Sequence, residues 1–435
     1  MNKPLRRTLI IVFALALAGL GFLFVRNLID FPVYYAAGQS LLSGRSDLYA
    51  PDFALGRVMD YRYPPFFIVA LLPLWLLPYS LAAYIWYLLS VIQISGCVLI
   101  VSRTFPSLNN AKGSWVLVAL ATAAYFVMAL HYGNAHLLAT FLLFAGLYVF
   151  LRGNDVVASL LMALAITIKI TPVLLLPYFA LKRRWKMLGA VCVFLLIINL
   201  LPSAFFGVRS NNQLLSNWYR HVVASQEFHE DNGPINLSIK GQLRRYFSSV
   251  DYSRRVDGDV QYPSVNITEI SRESLDAAWV VIAAALFAAV LLLIWLRESR
   301  SREVVQPDSG LSVTEAHELS LMICLMMLVG PLTSKIYFIA LLWPVACLAS
   351  LAVDRKTGEG MLSMLGLYAI ACLNLVLPLL PGRSTQRLLL VLGLDFYVNC
   401  LVMGALMFAA VSRVRALRKL SGEPRIEAPS QARTP

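Results

Sequence analysis

Asp30 stands two residues beyond an apolar run, Thr8–Leu28, and opens the stretch Asp30-Phe31-Pro32-Val33-Tyr34-Tyr35. A carboxylate where a membrane helix meets water can reach both a lipid headgroup and a partner in the aqueous phase. When ionised it can take the proton of a hydroxyl nucleophile, and a positioned general base of that kind contributes roughly 10²–10⁴-fold. Tyr34 follows four residues later, on the same face if the segment is helical. Tyr35, Arg62 and Tyr63 belong to the same polar segment, which closes at Tyr63-Pro64-Pro65. Blander roles stand beside these: a helix-end acid for Asp30, and interfacial aromatic-belt residues for Tyr34, Tyr35 and Tyr63. Asp47, Asp52 and Asp60 read as ordinary loop acids, with Asp60 the substitute base.

The elements that must position these groups are membrane helices. The chain has 435 residues, 59% of them hydrophobic and 14% charged, where a soluble chain carries about a quarter charged residues. Apolar runs of roughly 20 residues, enough to span a bilayer, recur along the whole length. Alternating strand patterns are absent, which argues against a β-barrel. The fold class is therefore all-α: a polytopic transmembrane bundle of about 12 helices. All six cysteines lie in apolar runs, which speaks against a disulfide framework or a zinc site. The net charge of +13 comes mostly from short loops, a topology signal rather than a nucleic-acid surface.

Taken in order, the predicted spans are Thr8–Leu28, Pro64–Pro78, Tyr79–Ser102, Ser114–Leu130, Ala135–Leu151, Val156–Leu181, Leu188–Phe206, Ala277–Leu296, Leu319–Leu332, Ile336–Val353, Met361–Leu380 and Leu388–Val411. Thr8–Leu28 is longer than a signal-peptide core and is read as the first helix. A single membrane domain then covers 1–420, with large extracytoplasmic loops at about 29–62 and 207–275. The proline-bearing tail 421–435 reads as disordered and cytoplasmic. Lys3, Arg6 and Arg7 put the N-terminus inside, and the Lys182–Lys186 cluster agrees, with six spans between them. Arg103, Lys112 and Arg152 fall on the wrong side of this scheme, which places His131-Tyr132-Gly133-Asn134 inside.

On that topology Asp30, both large loops and the turn Thr333-Ser334-Lys335 share the outer face. No Walker or Rossmann glycine pattern is present, and a synthetic enzyme working there needs an activated donor delivered by the membrane, such as a polyprenyl-phosphate sugar. A departing phosphate needs cations or hydrogen-bond donors; the outer candidates are Lys335, Arg62, Arg244 and Arg245. Lys169 and Asp395 lie inside apolar spans, where charge is costly. They read as paired with each other or with Asn134 and His136, with a catalytic role as the alternative. His221 and His229 read as solvated loop residues or acceptor contacts. Asn236-Leu-Ser and Asn266-Ile-Thr match glycosylation sequons.

The pattern Asp30-Phe31-x-x-Tyr34-Tyr35, Leu41-Leu42-x-Gly44-x-x-x-Leu48-Tyr49 and Tyr61-x-Tyr63-Pro64-Pro65 resembles glycosyltransferase family 87. These are polyprenol-phosphate-mannose-dependent mannosyltransferases of the GT-C class. The likeness continues at Gly133-Asn134, at Ala165-x-x-x-Lys169-x-Thr171-Pro172, at Asn236-Leu237-Ser238 and at Gly330-Pro331-Leu332-Thr333-Ser334-Lys335 with Tyr337. The family's usual Gly-Gln-x-x-Asn, Asn-Gln-Ser and Trp-His elements are matched only in part. The resemblance implies a GT-C-like fold and an inverting transfer of mannose to a hydroxyl of a glycolipid or glycan on the outer face of the cell membrane. Asp30 is then the base. Tyr34, Tyr35, Arg62, Tyr63, Asn236, Arg244, Arg245, Lys335 and Tyr337 would bind substrate. No cofactor and no metal is called for, since no outer Asp-x-Asp or acidic pair is present to hold a divalent cation. A GT-C enzyme using another lipid-linked sugar, and a transporter or lipid flippase, remain the alternatives. Against the latter, the two halves show no repeat of the kind transporters have.

Overall fold

The computed structural model describes residues 19–44, 48–49, 61–110, 113–224, 236–249, 262–304, 313–353, 366–367, 369–370 and 382–422. Most of the first span, Asp47, Asp52, Asp60, His229, most of Met361–Leu380 and the tail from 423 lie outside them. The described residues are helical and contain no strand. Six helices are long and apolar enough to cross a membrane: Tyr79–Thr104, Ser114–Tyr132, Trp185–Phe206, Arg272–Ser299, Lys335–Val353 and Leu394–Arg415. This is a helical membrane protein.

In chain order the elements are α1 (Phe31–Leu42), α2 (Pro65–Ala70), α3 (Leu72–Trp75), α4 (Tyr79–Thr104), α5 (Ser114–Tyr132), α6 (His136–Leu151) and α7 (Asp155–Ile168). A 3₁₀ turn, Thr171–Leu175, leads to α8 (Leu176–Leu181), then α9 (Trp185–Leu200), α10 (Val208–Trp218), α11 (Ile239–Phe247), α12 (Arg272–Val304) and α13 (Val313–Val329). A second 3₁₀ run, Lys335–Leu341, leads to α14 (Leu342–Val353), followed by α15 (Arg383–Leu392) and α16 (Leu394–Gly422).

The bundle has two ends, identified by what touches there. At one, the backbone N–H groups of Ile29 and Asp30 both donate to the Tyr132 carbonyl, at 3.2 and 2.8 Å. Lys169 meets Tyr337, and Asn236 meets Pro331. At the other, Ser107 bonds Ser350 at 2.7 Å, Arg184 lies 3.9 Å from Asp155, and Lys182 bridges Glu298 and Glu318 at 3.2 and 2.8 Å.

Two expected spans are redrawn. Pro64–Pro78 folds as α2 and α3, six and four residues long. That is about 15 Å of helix, half of what a bilayer core requires. Val156–Leu181 runs between the two ends of the bundle twice, not once. Its helix stops at Ile168, Lys169 is extended, and the chain returns through the 3₁₀ turn and α8 until Arg184 sits beside Asp155, where α7 began. The changes have opposite sign, so the parity between Asp30 and Lys182 is kept. In consequence the His131–Asn134 turn is at the Asp30 end, not opposite it. Arg103 and Arg152 join the Lys182 end.

The core follows from composition. Along the most apolar 18 residues of each, 83% of positions are buried in Lys335–Val353 and only 11% in Arg272–Ser299, so the first is an interior segment and the second faces the surroundings. A second, smaller core gathers beneath α1, where Phe31 packs on Trp86 and Tyr34 on Tyr63 and Phe67.

Candidate functional site

The site is built where α1 starts. Asp30 is its N-cap residue and Pro32 occupies the first turn, where proline fits a helix start. An Asp in this place ordinarily turns its carboxylate onto the N–H groups of its own helix. Asp30 makes no such bond. Its Oδ2 instead accepts from Nδ2 of Asn134, across 104 residues of sequence. The Asn134 Oδ1 in turn accepts from the backbone N–H of His136 at 2.6 Å.

Local chain geometry makes this approach possible. Gly133 ends α5 in the left-handed region, φ 62°. A Cβ there would lie 3.0 Å from Leu28 and 3.3 Å from Phe31. The Trp86 indole N–H donates to the Gly133 carbonyl at 2.9 Å and anchors the turn.

Around Asp30 stand three tyrosines and a lysine. The Tyr34 and Tyr63 hydroxyls are 2.9 Å apart; the Ala135 N–H donates to Tyr34 Oη at 3.2 Å. Lys169 Nζ donates to Tyr337 Oη at 3.1 Å and lies 5.4 and 4.9 Å from the Tyr63 and Tyr337 ring centres. Such cation–π contacts favour a charged ammonium. The Tyr337 ring stacks on His136, with centroids 4.1 Å apart and planes within 9°.

Burial pushes the Asp30 carboxyl above the ordinary carboxylate range; the Asn134 amide, Lys169 and Arg62 pull against it. Burial likewise raises Tyr34 and Tyr63, which stay neutral and able to donate. The arrangement can hold a carboxylate as a proton acceptor beside a fixed cation.

Of the residues expected to bind substrate, Tyr34, Tyr63 and Tyr337 are brought to Asp30. Arg62 is exposed at the edge, close enough for its charge to act on Asp30. The others are elsewhere. Tyr35 turns away, its hydroxyl donating to the Leu77 carbonyl at 2.7 Å. Asn236 is 2% exposed, too enclosed to carry a glycan. Its amide donates to the Pro331 carbonyl, and its oxygen accepts from Ser238 and from the Thr333 N–H; it pins the 330–335 turn. Arg244 donates twice to Asp276, at 2.8 and 2.9 Å. Arg245 is sealed against the turn at Gly393, where a Cβ would come within 2.8 Å of its Nη2. Lys335 lies 3.6 Å from Asp395, which also accepts from Tyr125.

The expected pairing of Lys169 with Asp395 is therefore replaced by two separate contacts, Lys169 with Tyr337 and Asp395 with Lys335. Sequence reasoning left Lys169 between a structural pairing, with Asp395 or with Asn134 and His136, and catalysis, and did not bring Asn134, His136 and Lys169 to Asp30. The signal was Pro172: it has no N–H for the Ile168 carbonyl four residues back and its ring would clash there, which ends the helix at Ile168 and breaks the apolar run at Lys169.

Comparison with known proteins bears on the chemistry. The sequence model of glycosyltransferase family 87 matches residues 61–331. A polyprenol-phosphate-mannose-dependent alpha-(1-2)-phosphatidylinositol pentamannoside mannosyltransferase of Mycolicibacterium smegmatis is 29% identical over 167 residues, covering 37% of this chain and 39% of that protein. The chain thus spans about two fifths of that relative's length. No solved structure matches. The family match begins at Tyr61, so Asp30, Tyr34 and Tyr35 lie ahead of it and rest on geometry.

Proposed function

Since the chain belongs to glycosyltransferase family 87, we propose that it is a glycosyltransferase that moves mannose from a polyprenyl-phosphate donor to a hydroxyl of a glycolipid or glycan acceptor, with inversion. The observation that carries this reading is the Asp30 carboxylate, which forgoes its own helix and is held by Asn134 beside Lys169. The relative's name supplies a polyprenol-phosphate-mannose donor and a phosphatidylinositol-mannoside acceptor for that protein, and supports the same classes here.

In the proposed reaction the acceptor oxygen attacks C1 of the sugar from the face opposite the phosphate. Asp30 takes the hydroxyl proton as the new C1–O bond forms. The bond from C1 to the phosphate oxygen breaks, and polyprenyl phosphate leaves with the electron pair. It departs as a weak base, so no second carboxylate is required as acid; fixed positive charge is.

The reaction is assigned to the extracytoplasmic face, with both termini cytoplasmic. Arg103, Arg152, Lys182 and Arg184 all stand at the end of the bundle away from Asp30, as the positive-inside rule asks of the cytoplasmic end.

The test is transfer of radiolabelled mannose from polyprenyl-phosphate mannose by membranes holding the wild type or Asp30→Asn. Asparagine keeps the shape and removes the base. Wild-type transfer that falls roughly 10²–10⁴-fold in a normally folded variant supports donor and base together. Full activity in the variant rules out Asp30, and transfer of another lipid-linked sugar in place of mannose rules out the donor.

A further inference from the structure

Three cations at the Asp30 end are held by a carboxylate. Arg244 and Lys240 share Asp276, at 2.8 and 3.4 Å, and Lys335 has Asp395 at 3.6 Å. Lys169 differs. Among the described residues no carboxylate comes within the 4.0 Å of an ion pair with its Nζ. Tyrosine rings and one hydroxyl steady the ammonium without neutralising it.

A half-buried charge with no counter-ion is unfavourable, and an arriving anion relieves it. The ammonium is also aimed. α7 ends at Ile168, Lys169 takes the extended conformation φ −139°, ψ 123°, and Tyr337 is fixed by its stack on His136. Asp30 lies near enough to feel Lys169 yet outside ion-pair distance. An anion on Lys169 would therefore lie beside the base rather than on it.

Resting on the transferase reading above, we propose that Lys169, oriented by Tyr337, holds the phosphate of the lipid-linked donor, and that Lys335 is a structural ion-pair partner. The phosphate carries one charge as a diester and gains a second as the sugar leaves. Lys169 therefore binds the departing group more strongly than the donor, the differential that accelerates a reaction.

The experiment is equilibrium binding of a radiolabelled polyprenyl phosphate to the full chain in detergent, with unlabelled polyprenyl phosphate, uncharged polyprenol and phosphatidylglycerol as competitors. Lys169→Gln is expected to weaken binding by at least about tenfold, the worth of a hydrogen bond to a charged group. Lys169→Arg and Lys335→Gln should stay within about threefold of wild type, and Asp30→Asn, which removes a repelling charge, should bind at least as tightly. Only unlabelled polyprenyl phosphate should displace the label. If Lys169→Gln does not fold, Tyr337→Phe is read instead; it removes the hydroxyl on Nζ and should weaken binding about threefold.

Unchanged affinity in Lys169→Gln, or in Tyr337→Phe where that is read, overturns the assignment while the transferase reading stands. So does a loss in Lys335→Gln as large as that in Lys169→Gln. Equal displacement by phosphatidylglycerol makes the site a headgroup site and overturns it too. A wild type that binds no polyprenyl phosphate sinks both readings.

Discussion

Two groups of charged side chains occupy the same end of this bundle and are built on opposite plans. Around Asp276 and Asp395 three cations have a carboxylate: Arg244 and Lys240 on the first, Lys335 on the second. Around Asp30 the carboxylate and the ammonium are kept apart, one held by an amide and the other by a phenol. A closed ion pair gives up its capacity to bind for the sake of holding helices together. Groups held short of pairing keep that capacity, the carboxylate for a proton and the ammonium for an anion. Positive charge on the right face is therefore a poor guide to anion binding, because part of it is already paired.

The contrast can be broken from either side. Arg244→Met should act on stability. Breaking a buried pair costs about 3–5 kcal/mol, and because Asp276 is 39% exposed, screening brings the expected loss to about 2 kcal/mol. A lowered unfolding midpoint in detergent, with polyprenyl-phosphate affinity intact, is the expected result; lost affinity at normal stability would erase the distinction between the two groups.

Asn134→Leu should act on chemistry. It removes the hydrogen bond that lowers the Asp30 pKa, so a carboxyl already raised by burial rises further. The base works only when ionised, and the rate falls as pH drops through that pKa. The acid limb of kcat/KM should therefore lie above the ordinary Asp value of about 3.9 in the wild type, and move to higher pH in the variant. At neutral pH the loss should be on the order of tenfold. An acid limb that does not move would separate Asn134 from the base.

Tyr35→Phe sharpens the boundary of the site. Its hydroxyl serves Leu77, so the cost should be under about 1 kcal/mol of stability, with KM and kcat unchanged. A changed KM would return Tyr35 to the substrate.

Much of this was legible in the chain. Apolar run lengths show a helical membrane protein, and an acid just past the first run marks the place where chemistry is possible. Hydropathy, however, sums transfer energy over a window and carries no direction. It ran straight through the turn at Lys169 and credited Pro64–Pro78 with a crossing that two helices of six and four residues do not make. Arg103 and Arg152 were the warning: basic residues on the wrong side of a topology count against the topology. The contact between Asp30 and Asn134 spans 104 residues, and no local pattern foretells it. Asn236 misled for a related reason, since a polar residue in a family motif serves a turn as readily as a ligand.

The Asn134 bridge also makes the two oxygens of the proposed base unequal. A backbone N–H can only donate, so the atom of Asn134 facing His136 has to be its oxygen, and the atom facing Asp30 has to be its NH₂. Asp30 Oδ2 is therefore occupied as an acceptor. The carboxylate is no longer two equivalent oxygens: Oδ2 keeps one lone pair and Oδ1 both, so in the proposed reaction Oδ1 is the less encumbered address for the proton leaving the acceptor. On the proposed mechanism, the acceptor's approach to Asp30 is biased by an amide that never touches it.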